Sequence, residues 1–397
     1  MKRKIRYLAI FAILGLVIAA CGGDEGGDTT TTEAPAATTT EAPDETTTTS
    51  GAETTTTSGD ETTTTAGEMG EAIKACQVTD TGGIDDQSFN QTAWAGVEDA
   101  MEDGLATEDS DFLESGADTD YVPNIQSSID AECDLIITVG FLLTDATEDM
   151  AQENPDQLFQ IIDSTMPEPL DNVQGAIFGT ADAAFLAGYL AAGATETGVV
   201  ATYGGIQIPC GVTCFMDGFV YGVRYYNEVN DTEVEVLGWN PEEQDGTFTG
   251  DFENLDNGRN TTQAFIDSDA DVVLPVAGPV GLGSAALAQE VGDVWVVGVD
   301  ADWFDTAPEY EDVILTSVLK GLDVAVYSAI ESVVNDNFES GPRLYTIEED
   351  GVGLGEISPE IDQALVDEVE EIRSGLQDGS IETCAQAEGP SDSCPDA

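Results

Sequence analysis

The sequence predicts an α/β protein built of two parallel-sheet lobes. Beyond Ala72, short apolar, β-rich runs alternate with segments whose apolar residues recur at i, i+3 and i+4. That alternation implies parallel strands buried beneath helices. This patterned region of roughly 320 residues exceeds what one core usually supports, so two lobes are expected.

The elements follow in order. Lys2, Arg3, Lys4 and Arg6 precede an apolar run, Leu8 to Ala20, too short for a comfortable membrane span. Ile18-Ala19-Ala20-Cys21 resembles a lipobox, where bacterial lipoproteins are lipidated and then cleaved. Residues 1–20 then read as a signal peptide. Cys21 becomes the first mature residue, anchored by lipid outside the cytoplasmic membrane. An ordinary secretory signal with a chance Cys is the competing reading. Acyl chains contribute about 0.8 kcal/mol per buried methylene, and more than one makes anchoring stable. Residues 21–70 are rich in Thr, Glu, Asp, Ala, Pro and Gly, with four-Thr runs from Thr29, Thr46, Thr54 and Thr62. Nothing there can offset the entropy of ordering, so this is a disordered tether whose composition suits O-glycosylation.

The expected strands are Ile73–Thr79, Asp134–Val139, Leu158–Ile162, Val173–Phe178, Val199–Tyr203, Glu233–Leu237, Asp271–Leu274, Val294–Val299 and Val313–Ser317. Helical spacing marks Gln91–Met101, Ala181–Ala194, Phe215–Asn227, Gly281–Val291 and Leu322–Asn335. The expected division puts 71–178 with 304–335 in lobe 1, and 179–303 with 336–384 in lobe 2. Residues 385–397 form a tail. In such sheets ligands sit in the crevice at the C-terminal strand ends.

Composition excludes several functions. The chain has 397 residues with 10 Lys and Arg, 79 Asp and Glu, and no His. Four of the basic residues lie in the leader, leaving six beyond it. Such a field repels nucleic acid and anionic headgroups, favours solubility and suits a saline habitat. Without His, Ser-His-Asp and Cys-His catalysis and His-ligated metal sites are ruled out. Neither metal nor cofactor is expected. Six Cys follow Cys21, and an even count in an exported chain reads as disulfides. Cys210 with Cys214 and Cys384 with Cys394 are the local pairs, leaving Cys76 with Cys133. A Cys-x3-Cys metal site competes at Cys210 and Cys214.

Four constellations fall at strand ends. Asp85-Asp86-Gln87-Ser88-Phe89-Asn90 follows a Gly82-Gly83 turn and opens a helix that reaches Trp94. Ser88 or Asn90 can cap that helix, and Phe89 and Trp94 can offer aromatic faces or simply fill the core. Val276-Ala277-Gly278-Pro279-Val280-Gly281-Leu282-Gly283 allows close backbone approach to a ligand, but its spacing is not that of a dinucleotide loop. In Gly298-Val299-Asp300-Ala301-Asp302-Trp303, Asp300 can accept hydrogen bonds from vicinal hydroxyls or serve as a cap. Thr316-Ser317-Val318-Leu319-Lys320 holds one of two lysines beyond the leader. That lysine neutralises carboxylates, donates to a ligand oxygen, or lies on the surface.

Taken in order, these segments resemble the basic membrane protein family, the substrate-binding lipoproteins that include bacterial purine-nucleoside receptors. Further matching stretches are Thr138-Val139-Gly140-Phe141, Asn154-Pro155-Asp156 through Asp163, Ala184–Tyr189 and Phe215–Phe219. The resemblance runs from Ala72 to about Leu376. It implies a type I periplasmic-binding-protein fold, with two lobes joined by crossover strands and closing on a ligand. It also implies a monomeric receptor that serves an ABC permease and performs no chemistry. It makes the Asp85-Asp86 turn the base-contacting segment, with Ser88, Phe89 and Asn90 beside it among the ligand-binding residues. Trp94 becomes a stacking aromatic, Asp163 a second polar contact, and Phe248 the opposing aromatic. Asp300, Gly278 and Gly281 become ribose-binding elements, with Lys320 a further hydroxyl contact. The chain departs from the family at Pro279-Val280 and at the Cys210–Cys214 loop. Alternatives are the same fold binding a sugar or signalling ligand as a sensor, or a surface glycoside or nucleoside hydrolase with paired carboxylates.

Overall fold

Two six-stranded sheets organise the described part of the chain. The computed structural model describes residues 70–383 and the strands at 385–386 and 389–390. The leader, Cys21, the tether, Cys384 and Cys394 lie outside the described residues. Lobe 1 carries β1 (Ala75–Thr79), β2 (Asp111–Leu113), β3 (Leu135–Val139), β4 (Leu158–Ile162), β5 (Val173–Phe178) and β13 (Gly341–Tyr345). Their order across the sheet is β13-β5-β4-β3-β1-β2, all parallel. Lobe 2 carries β6 (Val199–Gly204), β7 (Glu235–Leu237), β10 (Val272–Val276), β11 (Trp295–Asp300), β12 (Ile314–Lys320) and β14 (Val352–Leu354). The order there is β14-β12-β11-β10-β6-β7, with only β14 antiparallel. Two small hairpins pair β8 (Trp239–Asn240) with β9 (Asp245–Gly246), and β15 (Ala385–Gln386) with β16 (Gly389–Pro390).

Helices cover both sheets. They are α1 (Phe89–Glu102), α2 (Tyr121–Asp130), α3 (Thr144–Glu153), α4 (Thr180–Ala194) and α5 (Thr213–Asn230). Then come α6 (Leu255–Ile266), α7 (Val280–Val291), α8 (Trp303–Thr306), α9 (Leu322–Val334) and α10 (Gln363–Gln377). The central strands β1, β3 and β10 are buried at every position, as expected of strands covered on both faces. No described helix is long and apolar enough to cross a membrane.

The chain passes between lobes three times: between β5 and α4, between β12 and α9, and between β13 and β14. These passages bond to one another. Gly179 N–H donates to the Tyr345 carbonyl, and Gly321 N–H to that of Gly351, each at 2.9 Å. This layout corrects the expected division at two places. Residues 304–320 belong to lobe 2, because β12 pairs with β11 and the crossing comes only after Lys320. Gly341–Tyr345 belongs to lobe 1, paired with β5. Its sequence, Gly-Pro-Arg-Leu-Tyr, lies on an edge and lacks the apolar run that marks a buried strand. Disulfides join Cys76 to Cys133, tying β1 to the entry of β3, and Cys210 to Cys214 at the start of α5.

Candidate ligand-binding site

A cavity of about 610 Å³, open mouth included, lies between the lobes at the C-terminal ends of the strands. Lobe 1 lines it with Asp80 and Thr81 after β1, Gly140 and Phe141 after β3, and Asp163 after β4. Asp86, Phe89 and Asn90 join them from the start of α1. Lobe 2 contributes Val276 at the end of β10 with Ala277 to Pro279 after it, Val299 and Asp300 at the end of β11, and Lys320 at the end of β12. Ile208, Gly211, Val212, Phe215 and Phe252 complete that side.

Local chemistry explains the geometry. The Asp86 carboxylate accepts from the N–H groups of Ser88, Asn90 and Gln91 at 2.9–3.1 Å, satisfying the open end of α1. Asp86 is thus the acceptor at this helix start, where Ser88 or Asn90 was expected. Ser88 is left to donate across the lobes, Oγ to Asp300 Oδ2 at 2.8 Å. Asn90 Nδ2 bridges Asp80 Oδ1 and Asp86 Oδ2 at 3.0 and 3.2 Å. Asp163 and Asp300 close their strands with φ of 60° and 69°. Both therefore sit in the left-handed region that non-glycine residues seldom occupy, one from each lobe.

Lys320 is the electrostatic centre. Its side chain is 2% exposed and pairs with Asp163 across the lobes. Its Nζ lies 5.2, 5.4 and 5.3 Å from the ring centres of Phe89, Phe178 and Phe215. Facing a single ammonium are four carboxyl groups, Asp80, Asp86, Asp163 and Asp300. Burial raises all four above the ordinary carboxylate range. Asp80, further raised by the other three carboxylates against the lowering Asn90 bond, reaches about 8. Asp300, pulled down by Lys320 and Ser88 but raised by Asp163 and Asp86, reaches about 6. No group of three or more acidic, His or Cys side chains among the described residues is arranged to hold a metal ion.

Asp86, Phe89, Asn90, Asp163, Gly278, Asp300 and Lys320 therefore meet at one cavity, with Ser88 directly behind them. Besides Ser88, four anticipated residues do not line it. Asp85 is exposed on the turn. Trp94 packs edge-on against Phe112, ring centres 5.2 Å apart, because five residues along α1 turn it well away from Phe89. Phe248 packs over Gly204 and meets Trp239 at 5.9 Å. Gly281 faces the core, where a Cβ would stand 2.8 Å from the Trp303 ring. Other rings line the cavity in place of Phe248 and Trp94. Phe252 packs on Gly205 and lines the cavity, as does Phe215. Asp80 and Gly140 were also missed, although each directly follows an expected strand. That position was the available signal.

The profile of ABC transporter substrate-binding proteins of the PnrA-like class matches residues 73–382. The chain belongs to that family. It is 32% identical over 322 residues to the CD4+ T-cell-stimulating antigen of Listeria monocytogenes, covering 77% of this chain and 86% of that protein. It is 29% identical over 328 residues to the ABC transporter nucleoside-binding protein BmpA of Lactococcus lactis, covering 78% and 88%. A solved ABC solute-binding protein from Aeropyrum pernix K1 superposes with a TM-score of 0.67 at 28% identity, covering 78% and 92%. The expected fold, two α/β lobes around a cleft, is that of these solute-binding proteins. A PnrA-like protein is a binder rather than an enzyme. It takes a small-molecule ligand and serves a membrane permease.

Proposed function

We propose that this PnrA-like protein binds a purine nucleoside in the interlobe cavity and delivers it to an ABC permease as a lipid-anchored monomer. The observation that carries this reading is the pairing of aromatic and polar groups across the cleft. Phe89 from lobe 1 and Phe215 and Phe252 from lobe 2 offer flat faces for a base. Asn90 and Asp163 suit base N–H and acceptor groups, and Asp300 and Lys320 suit ribose hydroxyls. The excess of carboxylates disfavours a phosphate, so a nucleoside fits better than a nucleotide. The name of the Lactococcus relative supports the same ligand class. The Cys21 lipobox supports anchoring at the outer face of the membrane, with the Thr-rich tether giving reach to the permease.

Two contacts join the lobes at the cleft, Ser88 with Asp300 and Asp163 with Lys320. A ligand that engages the same groups stabilises the closed arrangement by its differential affinity for it. The test is calorimetric titration of refolded, ligand-stripped protein with adenosine, guanosine, inosine, uridine and ribose. One-to-one binding of a purine nucleoside, with ribose far weaker, is expected. No heat from any of them would discard the nucleoside and leave the solute receptor.

A further inference from the structure

We propose that the Cys210–Cys214 disulfide is a positioning element of the binding cleft, holding the loop from Ile208 to Cys214 as its lobe 2 wall. The inference rests on the interlobe cavity being the ligand site. Ile208, Gly211 and Val212 line that cavity, and so does Phe215, the residue after Cys214. Gly211 faces lobe 1 closely: a Cβ there would stand 3.9 Å from Asp163 Oδ2. The loop therefore lies opposite the carboxylate that pairs with Lys320.

The loop belongs to no sheet or helix until α5 begins at Thr213. Val212 and Thr213 N–H donate to the Ile208 carbonyl at 3.1 and 3.2 Å, Gly211 N–H to that of Pro209 at 2.8 Å, and Cys210 N–H to Thr213 Oγ1 at 3.1 Å. Cys210 adopts φ of 57°, an unfavoured backbone that persists only where surroundings hold it. Cys214 is buried against Ala181 at the start of α4, just past the first crossing between lobes. The disulfide thus fastens the wall to the helix that carries Phe215.

Loop length separates this role from general stabilisation. Cys210 and Cys214 are 4 residues apart, whereas Cys76 and Cys133 are 57 apart. Closing the short loop removes far less freedom from the unfolded chain. Its effect should therefore appear in ligand affinity, because an unfastened wall must be ordered at the moment of binding.

The experiment compares the double variants Cys210→Ser/Cys214→Ser and Cys76→Ser/Cys133→Ser with the unmodified protein. Titration uses inosine, guanosine and adenosine, and ligand-free amide exchange is followed at Val212 and Thr213. Loss of the 210–214 bond should weaken nucleoside binding at least roughly tenfold and speed those two amides by a similar factor, with the smaller fall in Tm. Loss of the 76–133 bond should lower Tm more and leave affinity within about twofold. Cys210→Ala/Cys214→Val, which keeps the buried site apolar, repeats the test should the serines unfold the protein. Unchanged exchange, or faster exchange with unchanged affinity, overturns the proposal. If the unmodified protein takes up no nucleoside, the nucleoside reading fails, and exchange at Val212 and Thr213 alone decides whether the disulfide holds the loop.

Discussion

Phe89 and Trp94 occupy the same helix yet do different things. Phe89 faces the cavity and Lys320, while Trp94 packs on Phe112. Phe89→Ala should weaken nucleoside binding more than about tenfold with little loss of Tm, since only one wall of an open cavity is removed. Trp94→Ala should cost about 2–3 kcal/mol of stability and leave affinity nearly unchanged. Titration and thermal melts of the two variants separate these outcomes, and loss of affinity in Trp94→Ala alone would reverse the assignment. Asp80 makes a second residue-scale prediction. Burial and neighbouring carboxylates raise its folded value to about 8, far above its unfolded value. The folded state then keeps a proton that the unfolded chain releases, so its contribution is full below about pH 4 and is lost as pH rises through about 8. Asp80→Asn, neutral at every pH, should gain Tm relative to the unmodified protein as pH rises from about 5 to 8. Parallel pH profiles would show that Asp80 carries no such burden.

At the scale of elements, the helix pair α4 and α5 holds lobe 2 together by close backbone approach. A Cβ at Gly222 would meet the Phe185 carbonyl oxygen at 2.0 Å, and one at Gly188 the Phe219 carbonyl oxygen at 2.1 Å. Neither backbone atom can swing aside as a side chain could. Gly222→Ala should therefore destabilise the protein by about 1–3 kcal/mol, read by urea denaturation, despite the better helix propensity of alanine. A neutral result would mean that the helices separate easily. Because α5 also carries Phe215, a smaller loss of ligand affinity should accompany the loss of stability. Element boundaries were legible wherever apolar runs were long, as at Leu158–Ile162 and Val173–Phe178, which coincide with β4 and β5. The edge strands β2 and β14, three residues each, carry too little pattern to be read.

The whole molecule is dominated by its charge. Only six basic residues lie beyond Arg6, and five of them are engaged in ion pairs: Lys74, Arg224, Arg259, Lys320 and Arg373. The sixth, Arg343, lies 4.9 Å from the Tyr345 ring. Most carboxylates therefore repel one another across solvent, where added salt screens them. Tm should rise between about 0.05 and 1 M NaCl, and a flat or falling profile would show that self-repulsion does not limit stability. The Asp163–Lys320 pair should be the least salt-sensitive, being buried between lobes.

The sequence by itself determined the layered α/β character, the acidic surface, the exclusion of histidine chemistry and the family. Each of these depends on composition or on local periodicity. It also placed Asp86, Phe89, Asn90, Asp163, Asp300 and Lys320 at strand ends or at the start of α1, where a crevice forms. Tertiary structure alone decided which of them converge, because convergence depends on how helices rotate and where the chain changes lobes. Rotation along α1 removed Trp94 from the cavity. Crossing after Lys320 brought a lobe 2 lysine against a lobe 1 aspartate. The glycine pair Gly204 and Gly205 admitted two rings side by side, and only packing decided that Phe252, not Phe248, faces the interlobe cavity.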